Sequence, residues 1–453
     1  MASQRTRRRA ALGAVLVAGA LLSTACVERV EIVQGGSGPG ATAAANVQGG
    51  QNANGAAAIS GYEGKQLSFG TVPSTPQKAT GGPPIKIGMI NQENTPIGSF
   101  PEIRLGAQAA VDFINDELGG VRGRPLELVP CVTTFSVEKS QKCAQDLVQQ
   151  DVVAVTGGID ITSTGSMPVL EQNQMPYIGG VPVNFAEMQS PISYQFSGGA
   201  PGAFVAFAKH AADHGAKKVA VAYADYPPIK AAAVDFGVKT LKDLGVPEVV
   251  EIPFPVTATD LLPVMSKAKE AGADAVFVGA ADTACAPAMK TAHDLGITAQ
   301  LYLVGSCAAP NIGDQIGKDA VEGRIFNIEN PANLDDPESK LYFTAVAKHG
   351  SPDLPAASAA TISFRDVMNL YALLLGLPDG QLDKDHLREA VSQARNRPSF
   401  AGHPYTCDGK QVPNMPALCA PQQILVQRHG DDLVPVSEWI DVPALVGGGS
   451  QGG

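Results

Sequence analysis

The sequence predicts an α/β protein built as two doubly wound domains with a cleft between them. Three observations carry that prediction. The chain has 453 residues, more than one compact core holds, so two domains are expected. Short apolar runs that read as buried parallel strands alternate with segments of helical spacing, once over 85–180 and again over 202–305. The third is the stretch 151–184, DVVAVTGGIDITSTGSMPVLEQNQMPYIGGVPVN, where an apolar run meets Gly157-Gly158 and Pro176 precedes a second apolar run. In such a β-α-β unit a ligand sits past the carboxyl ends of the strands, where backbone N–H groups and the next helix N-terminus face outward. Thr162, Ser163 and Thr164 offer hydroxyls there, as helix caps or as ligand donors.

Taken in order, the chain opens with Arg5, Arg7, Arg8 and Arg9, followed by an apolar run over 10–22. That run is too short to span a bilayer but suits the core of an export signal. It ends in Leu22-Ser-Thr-Ala-Cys26, which resembles the lipobox of bacterial lipoproteins, with Ser23 where an aliphatic residue is usual. A signal peptide over 1–26 and a lipid on Cys26 follow from that resemblance; a plain cleavable signal with Cys26 a bystander is the alternative. Thr6-Arg7-Arg8-Arg9 leaves a twin-arginine route open beside the general one. Residues 27–83 are mostly Gly, Ala, Asn, Gln, Ser, Thr and Pro, which bury too little surface to offset ordering entropy. They are expected to be a disordered tether, and 442–453 a disordered tail. Gly36-Ser-Gly38-Pro-Gly-Ala41 matches a dinucleotide fingerprint in form only, since Pro39 interrupts it and no β-α-β unit follows.

Strands are expected at 85–91, 124–132, 152–156 and 177–180, with helices at 101–118 and 137–150 and another opened by Thr162–Thr164. The alternation restarts with helices at 202–214, 229–244, 259–271 and 284–295 and strands at 218–224, 248–254, 275–280 and 301–305. A strand near 323–328, helices near 336–349, 356–376 and 384–396, and a β-rich end over 424–436 complete the chain, with a hairpin turn at Gly430-Asp431.

The net charge of −11 argues against a phosphate-backbone partner, so nucleic acid is not expected. Seven cysteines become six once Cys26 is set aside, and these fall as three close couples: Cys131/Cys143, Cys285/Cys307 and Cys407/Cys419. Export to an oxidising compartment makes three disulfides the natural reading. Cys285 and Cys307 follow consecutive strands of one β-α-β unit, near enough at their carboxyl ends for a bridge. No C-x-x-C, nucleophile elbow, phosphate-binding loop or H-E-x-x-H occurs, so no metal, cofactor or enzymatic activity is expected. His210 and His214, four apart on a helix, read as C-terminal dipole partners rather than a metal pair.

The lipobox, IKIGMIN at 85–91, GAQAAVDFIN at 106–115 and GGVRGRPL at 119–126 together resemble the leucine/isoleucine/valine-binding family, over roughly 84–441. Its members are type I periplasmic-binding-fold receptors of ABC importers. The resemblance implies two Rossmann-like lobes joined by three hinge crossovers: lobe one over 84–198 with 324–397, lobe two over 199–323 with 398–441. It implies a small polar organic solute, amino-acid-like or amide-like, trapped by closure and handed to a permease by a receptor anchored outside the cytoplasm. A lipoprotein that reports a ligand to a membrane sensor is the other function such a chain serves. Carried over by position, the ligand-binding residues are Ile161, Thr162 and Ser163 after the third strand, and Val181, Val183 and Asn184 after the fourth. Phe100 supplies an aromatic wall, and lobe two contributes Tyr226, Ala281, Asp282, Ser306 and Cys307, which would set the Cys285–Cys307 bridge at the cleft. Two departures stand out: Val183 where a carboxylate-holding threonine is usual, and no acidic residue near Cys307 to meet an ammonium. Glu93, Asp160, Asp225 and Asp282 all fall at or just past strand ends, which predicts a cleft that disfavours a free carboxylate.

Overall fold

A computed structural model describes residues 61–62, 64–330 and 336–447. The expected export signal, Cys26 and most of the expected tether lie outside the described residues. The first element among the described residues is a small antiparallel hairpin of β1 (Gln66–Leu67) and β2 (Gly70–Thr71). Strands β3 (Ile85–Gln92), β4 (Leu126–Thr133), β5 (Ala154–Gly157), β6 (Tyr177–Ile178) and β7 (Ser193–Tyr194) then form a wholly parallel sheet in the order β4-β3-β5-β6-β7. Lys86 is the one half-buried residue of β3, as a run covered on both faces by helices requires.

The second sheet begins with β8 (Lys218–Ala224), β9 (Glu248–Phe254), β10 (Ala275–Gly279), β11 (Gln300–Leu303) and β12 (Ile325–Ile328), parallel and in the order β9-β8-β10-β11-β12. After a small hairpin of β13 (Arg397–Ser399) and β14 (Gly402–Tyr405), strands β15 (Ile424–His429) and β16 (Asp432–Pro435) extend that sheet antiparallel beyond β12. His429 pairs with Asp432 across the two-residue turn Gly430-Asp431, where the sequence placed it. Each parallel core has its first strand between its second and third, so each has a switch point beside that first strand.

The helix over Pro101–Glu117 shows how sequence sets the packing. Pro101 occupies its first turn, where a missing N–H costs nothing. Its small face, with Gly106, Ala107, Ala109 and Ala110 buried, lies against the helix over Ala360–Gly376. A Cβ on Gly106 would come 2.6 Å from the carbonyl oxygen of Ala360, so the first residue of the GAQAA run is a close-approach glycine.

Several expectations are corrected. The last third of the tether is ordered: Tyr62, Phe69 and Val72 are buried in the first core, and Phe69 packs against the rings of Tyr371 and Phe400. Its Ser68 N–H donates to the Glu338 carboxylate at 2.7 Å. Composition hid this strap because its few apolar residues find their partners hundreds of positions away. The described part of the expected tail holds a short helix, Val442–Val446, with Val442 buried. Residues 325–328 pair in the second sheet and not with lobe one. Conversely Phe400, Tyr405, Cys407 and Cys419 join the first core, so the third crossover falls near 421 and not at 398. The predicted helix 229–244 is interrupted by a π-helical turn over Ala232–Val238, where Gly237 admits the ring of Phe204. The helix after β5 starts at Ser166, one turn later than the hydroxyl cluster.

All three cysteine couples are disulfides, with Cα separations of 5.5, 5.1 and 4.6 Å for Cys131–Cys143, Cys285–Cys307 and Cys407–Cys419. Among the described residues, no helix is long and apolar enough to cross a membrane.

Candidate functional site

The two lobes meet where the switch points of their sheets face each other. From lobe one come the loops after β3, β4, β5 and β6; from lobe two, those after β8 and β10. The Tyr226 hydroxyl donates to the carbonyl oxygen of Ile161 at 3.4 Å, and the Ser99 N–H donates to Asp282 Oδ1 at 3.3 Å. The Phe135 and Tyr226 rings lie 5.7 Å apart, and those of Phe185 and Phe236 lie 6.3 Å apart, stacked. Both bonds across the seam are long, so this is a light contact between polar loops rather than a fused interface.

Of the residues singled out by sequence, Ile161, Asn184, Tyr226 and Asp282 are brought to this seam. Asn184 Nδ2 donates to the Ile161 carbonyl at 2.6 Å, joining the loop after β5 to the loop after β6. Beneath it, buried Glu187 accepts from the N–H groups of Val183 and Asn184 and from the Tyr177 hydroxyl, which holds the second loop in shape. Burial pushes Glu187 up to about 8 in spite of those donors. Val181 and Val183 are half-buried on the same loop, and Ser306 is half-buried on the loop after β11. Phe100 is buried in the first core, with its carbonyl oxygen accepting from Asn91. Ser163 is fully buried, and its hydroxyl has no partner among the described residues. Thr162 turns inward, donating to Asp160 at 2.7 Å.

The expected ring of four cleft carboxylates is revised. Asp160 is consumed within its own lobe, accepting from Thr133 and Ser140 hydroxyls and from both the N–H and hydroxyl of Thr162. Glu93 is paired in a fork with Arg104 at 2.8 and 3.0 Å. Asp225 is exposed. Glu93 and Asp160 are both taken up by donors from neighbouring elements: Arg104 on the helix over Pro101–Glu117 for Glu93, and Thr133 and Ser140, with Thr162 of its own loop, for Asp160. Asp282 remains on the seam, and sequence reasoning missed its companion Glu102. Burial raises Glu102 to about 7, with further upward pushes from Asp282 and Glu93; burial likewise raises Asp282. Glu102 reads in the sequence as an ordinary first-turn acid, so nothing local marks it. Phe135 was also missed. It holds φ +57°, a left-handed backbone that a bulky residue adopts only under constraint, and it presents its ring to Tyr226.

His210 and His214 stack at 3.9 Å; His210 Nδ1 meets the Tyr302 hydroxyl and His214 Nδ1 meets the His210 carbonyl. Burial lowers His210 to about 4, so it is neutral at pH 7. Among the described residues no group of three metal-ligating side chains gathers.

The comparisons fit this geometry. A family model for periplasmic binding proteins matches residues 84–417. The Leu/Ile/Val-binding protein homolog 6 of Brucella suis biovar 1 is 26% identical over 269 residues, covering 56% of this chain and 66% of its own length. The leucine-binding protein LivK of Thermotoga maritima superposes with a TM-score of 0.64 at 20% identity, over 79% of this chain and 99% of its own. A solute-binding protein of an ABC transporter from Rhodopseudomonas palustris HaA2, solved with p-hydroxybenzoic acid, superposes at 0.66 with 22% identity, over 82% and 100%. These two likenesses speak for the fold.

Proposed function

This chain belongs to the periplasmic binding protein family, a family of binding proteins and not of enzymes, and from that premise we propose that it captures one small polar organic solute between its lobes. The observation that carries the reading is the seam itself. Loops from the switch points of both sheets touch there through Ile161, Ser99, Tyr226 and Asp282, which is where an α/β sheet exposes its donors. Closure about the three crossovers would bury the solute between these loops. The ligand-facing residues in this reading are Ile161, Ser163, Val181, Val183 and Asn184 from lobe one, and Tyr226, Asp282 and Ser306 from lobe two. Phe135 and Glu102 join them. Thr162, turned onto Asp160, and Phe100, packed in the first core, shape the wall behind them.

The character of the solute follows from the walls. Phe135 and Tyr226 supply ring surface, while Glu102 and Asp282 repel each other, each held above its ordinary value by burial. An amine or an amide, amino-acid-like in size, would supply donors to both; a dicarboxylate would add further negative charge. The chain would hand this solute to the permease of an ABC importer, held at the outer face of the cell membrane by a lipid on Cys26. A thermal-shift panel of amino acids, amides, polyamines, ureas and aromatic acids tests the reading. A solute at a hundred times its Kd adds about 2.7 kcal/mol of stability. Amines or amides should raise the melting temperature and simple dicarboxylates should not. A tight dicarboxylate, indifferent to Asp282→Asn, would contradict the assignment.

A further inference from the structure

All three crossovers between the lobes converge on one carboxylate. Glu329 stands at the start of the second crossover, immediately after β12, and is buried. Its Oε1 accepts from the Ser197 hydroxyl at 2.7 Å and the Gly198 N–H at 3.1 Å, both on the first crossover. The same oxygen accepts from Gln423 Nε2 at 2.7 Å, on the third. Its Oε2 faces Arg365 Nη2 at 3.2 Å, and the Glu329 carbonyl accepts from Arg365 Nη1 at 2.8 Å. Both partners of that ion pair are nearly inaccessible, with side chains 3% and 5% exposed.

The chain is built to bring these segments together. A Cβ on Gly198 would lie 2.5 Å from the Pro421 carbonyl oxygen, so only glycine lets the first and third crossovers touch. Gly199 follows at φ +57°, and a Cβ there would lie 2.1 Å from the Pro182 carbonyl oxygen, in the loop after β6. The polar contacts then run outward on both sides. Beside Arg365, Asp366 accepts from the Gly180 N–H at 2.6 Å, in that same loop. On the other side Gln423 Oε1 accepts from Asn327, whose Oδ1 accepts from the Gly305 N–H at 2.9 Å, at the head of the loop that carries Ser306.

We propose that Glu329 is the pin of the hinge, a positioning residue that sets the angle between the lobes by holding groups from each of the other two crossovers. The proposal rests on the hinge-closure reading and adds which residue governs the hinge. Rotation of the lobes changes backbone torsions at the crossovers. A single oxygen keeps three donors from two chain segments at bonding distance over a narrow range of angles only. Outside that range a charge-assisted bond in a water-poor setting lengthens or breaks, while Arg365 stays buried. The node therefore favours the arrangement in which the two sets of loops touch.

The test needs no ligand. Spin labels attached at exposed Gln145 and Glu270, one on the outer surface of each lobe, report the interlobe distance by pulsed dipolar resonance in the full exported chain. Glu329→Gln should raise the ratio of open to closed molecules by about tenfold, the factor that one charge-assisted bond kept in one state alone carries. Ser197→Ala and Gln423→Ala, which each cut one tie and leave the Glu329–Arg365 pair intact, should shift it in the same direction by less. These two decide the matter if Glu329→Gln does not fold. Wild-type distance distributions in all folded variants, or shifts toward closure, would overturn the proposal. If the wild-type distance responds to a solute from the panel while the variants match it, the pin fails and the closure reading stands. If neither the wild-type chain nor any variant shows a second distance, with or without that solute, both fail.

Discussion

Asp366 is a carboxyl group placed where a charge is hard to hold. It is fully buried, it accepts the Gly180 N–H, and its second oxygen stands 3.5 Å from Arg365 Nε. Burial wins over both favourable partners and lifts it from an ordinary 3.8 to about 7. The folded chain then holds a proton that the unfolded chain has released. The stability that proton brings is fully present below 3.8 and is lost as pH rises through about 7. Asp366→Asn keeps an acceptor for Gly180 and removes the titration, so its melting temperature should fall less than the wild-type's between pH 4 and pH 7. Equal slopes in the two proteins would contradict the assignment. The same scale shows what a sequence reveals of a site. Tyr226 and Asp282 were expected at the cleft as residues just past strand ends, and both lie on the seam between the lobes. Asp160 and Glu93 stood in equally good positions, but whether their charge reaches a ligand depends on Ser140, Thr133 and Arg104, which only the folded chain brings to them.

Elements were legible where periodicity or turn chemistry is strong. The strands with unbroken apolar runs and the Gly-Asp hairpin fall where expected, because burial on two faces and a left-handed Gly430 leave few alternatives. The strap over 64–83 was not legible, since its order comes from docking and not from any pattern of its own. Its anchor is Phe69, 4% exposed, with ring centroids 6.3 and 5.9 Å from Tyr371 and Phe400. Phe69→Ala should cost about 3–5 kcal/mol in urea unfolding, the usual loss for a phenylalanine removed from a packed core. A loss under about 1 kcal/mol would mean that the strap lies on lobe one without contributing to it.

At the scale of the molecule, the doubly wound plan was readable because alternating strands and helices admit few topologies, and handedness removes most of those. The boundaries of the lobes were harder. A chain that crosses three times returns short pieces to each side, and β12, β15 and the segment around Cys407–Cys419 choose their lobe by pairing and packing at long range. That threefold connection is the hinge about which closure on a solute is proposed. Small-angle X-ray scattering tests that closure most directly, on the purified chain, with and without the solute that most raises its melting temperature. Closure gives a smaller radius of gyration at saturation, with a matching loss of the longest intramolecular distances. An unchanged radius of gyration at saturating, independently measured binding would contradict it.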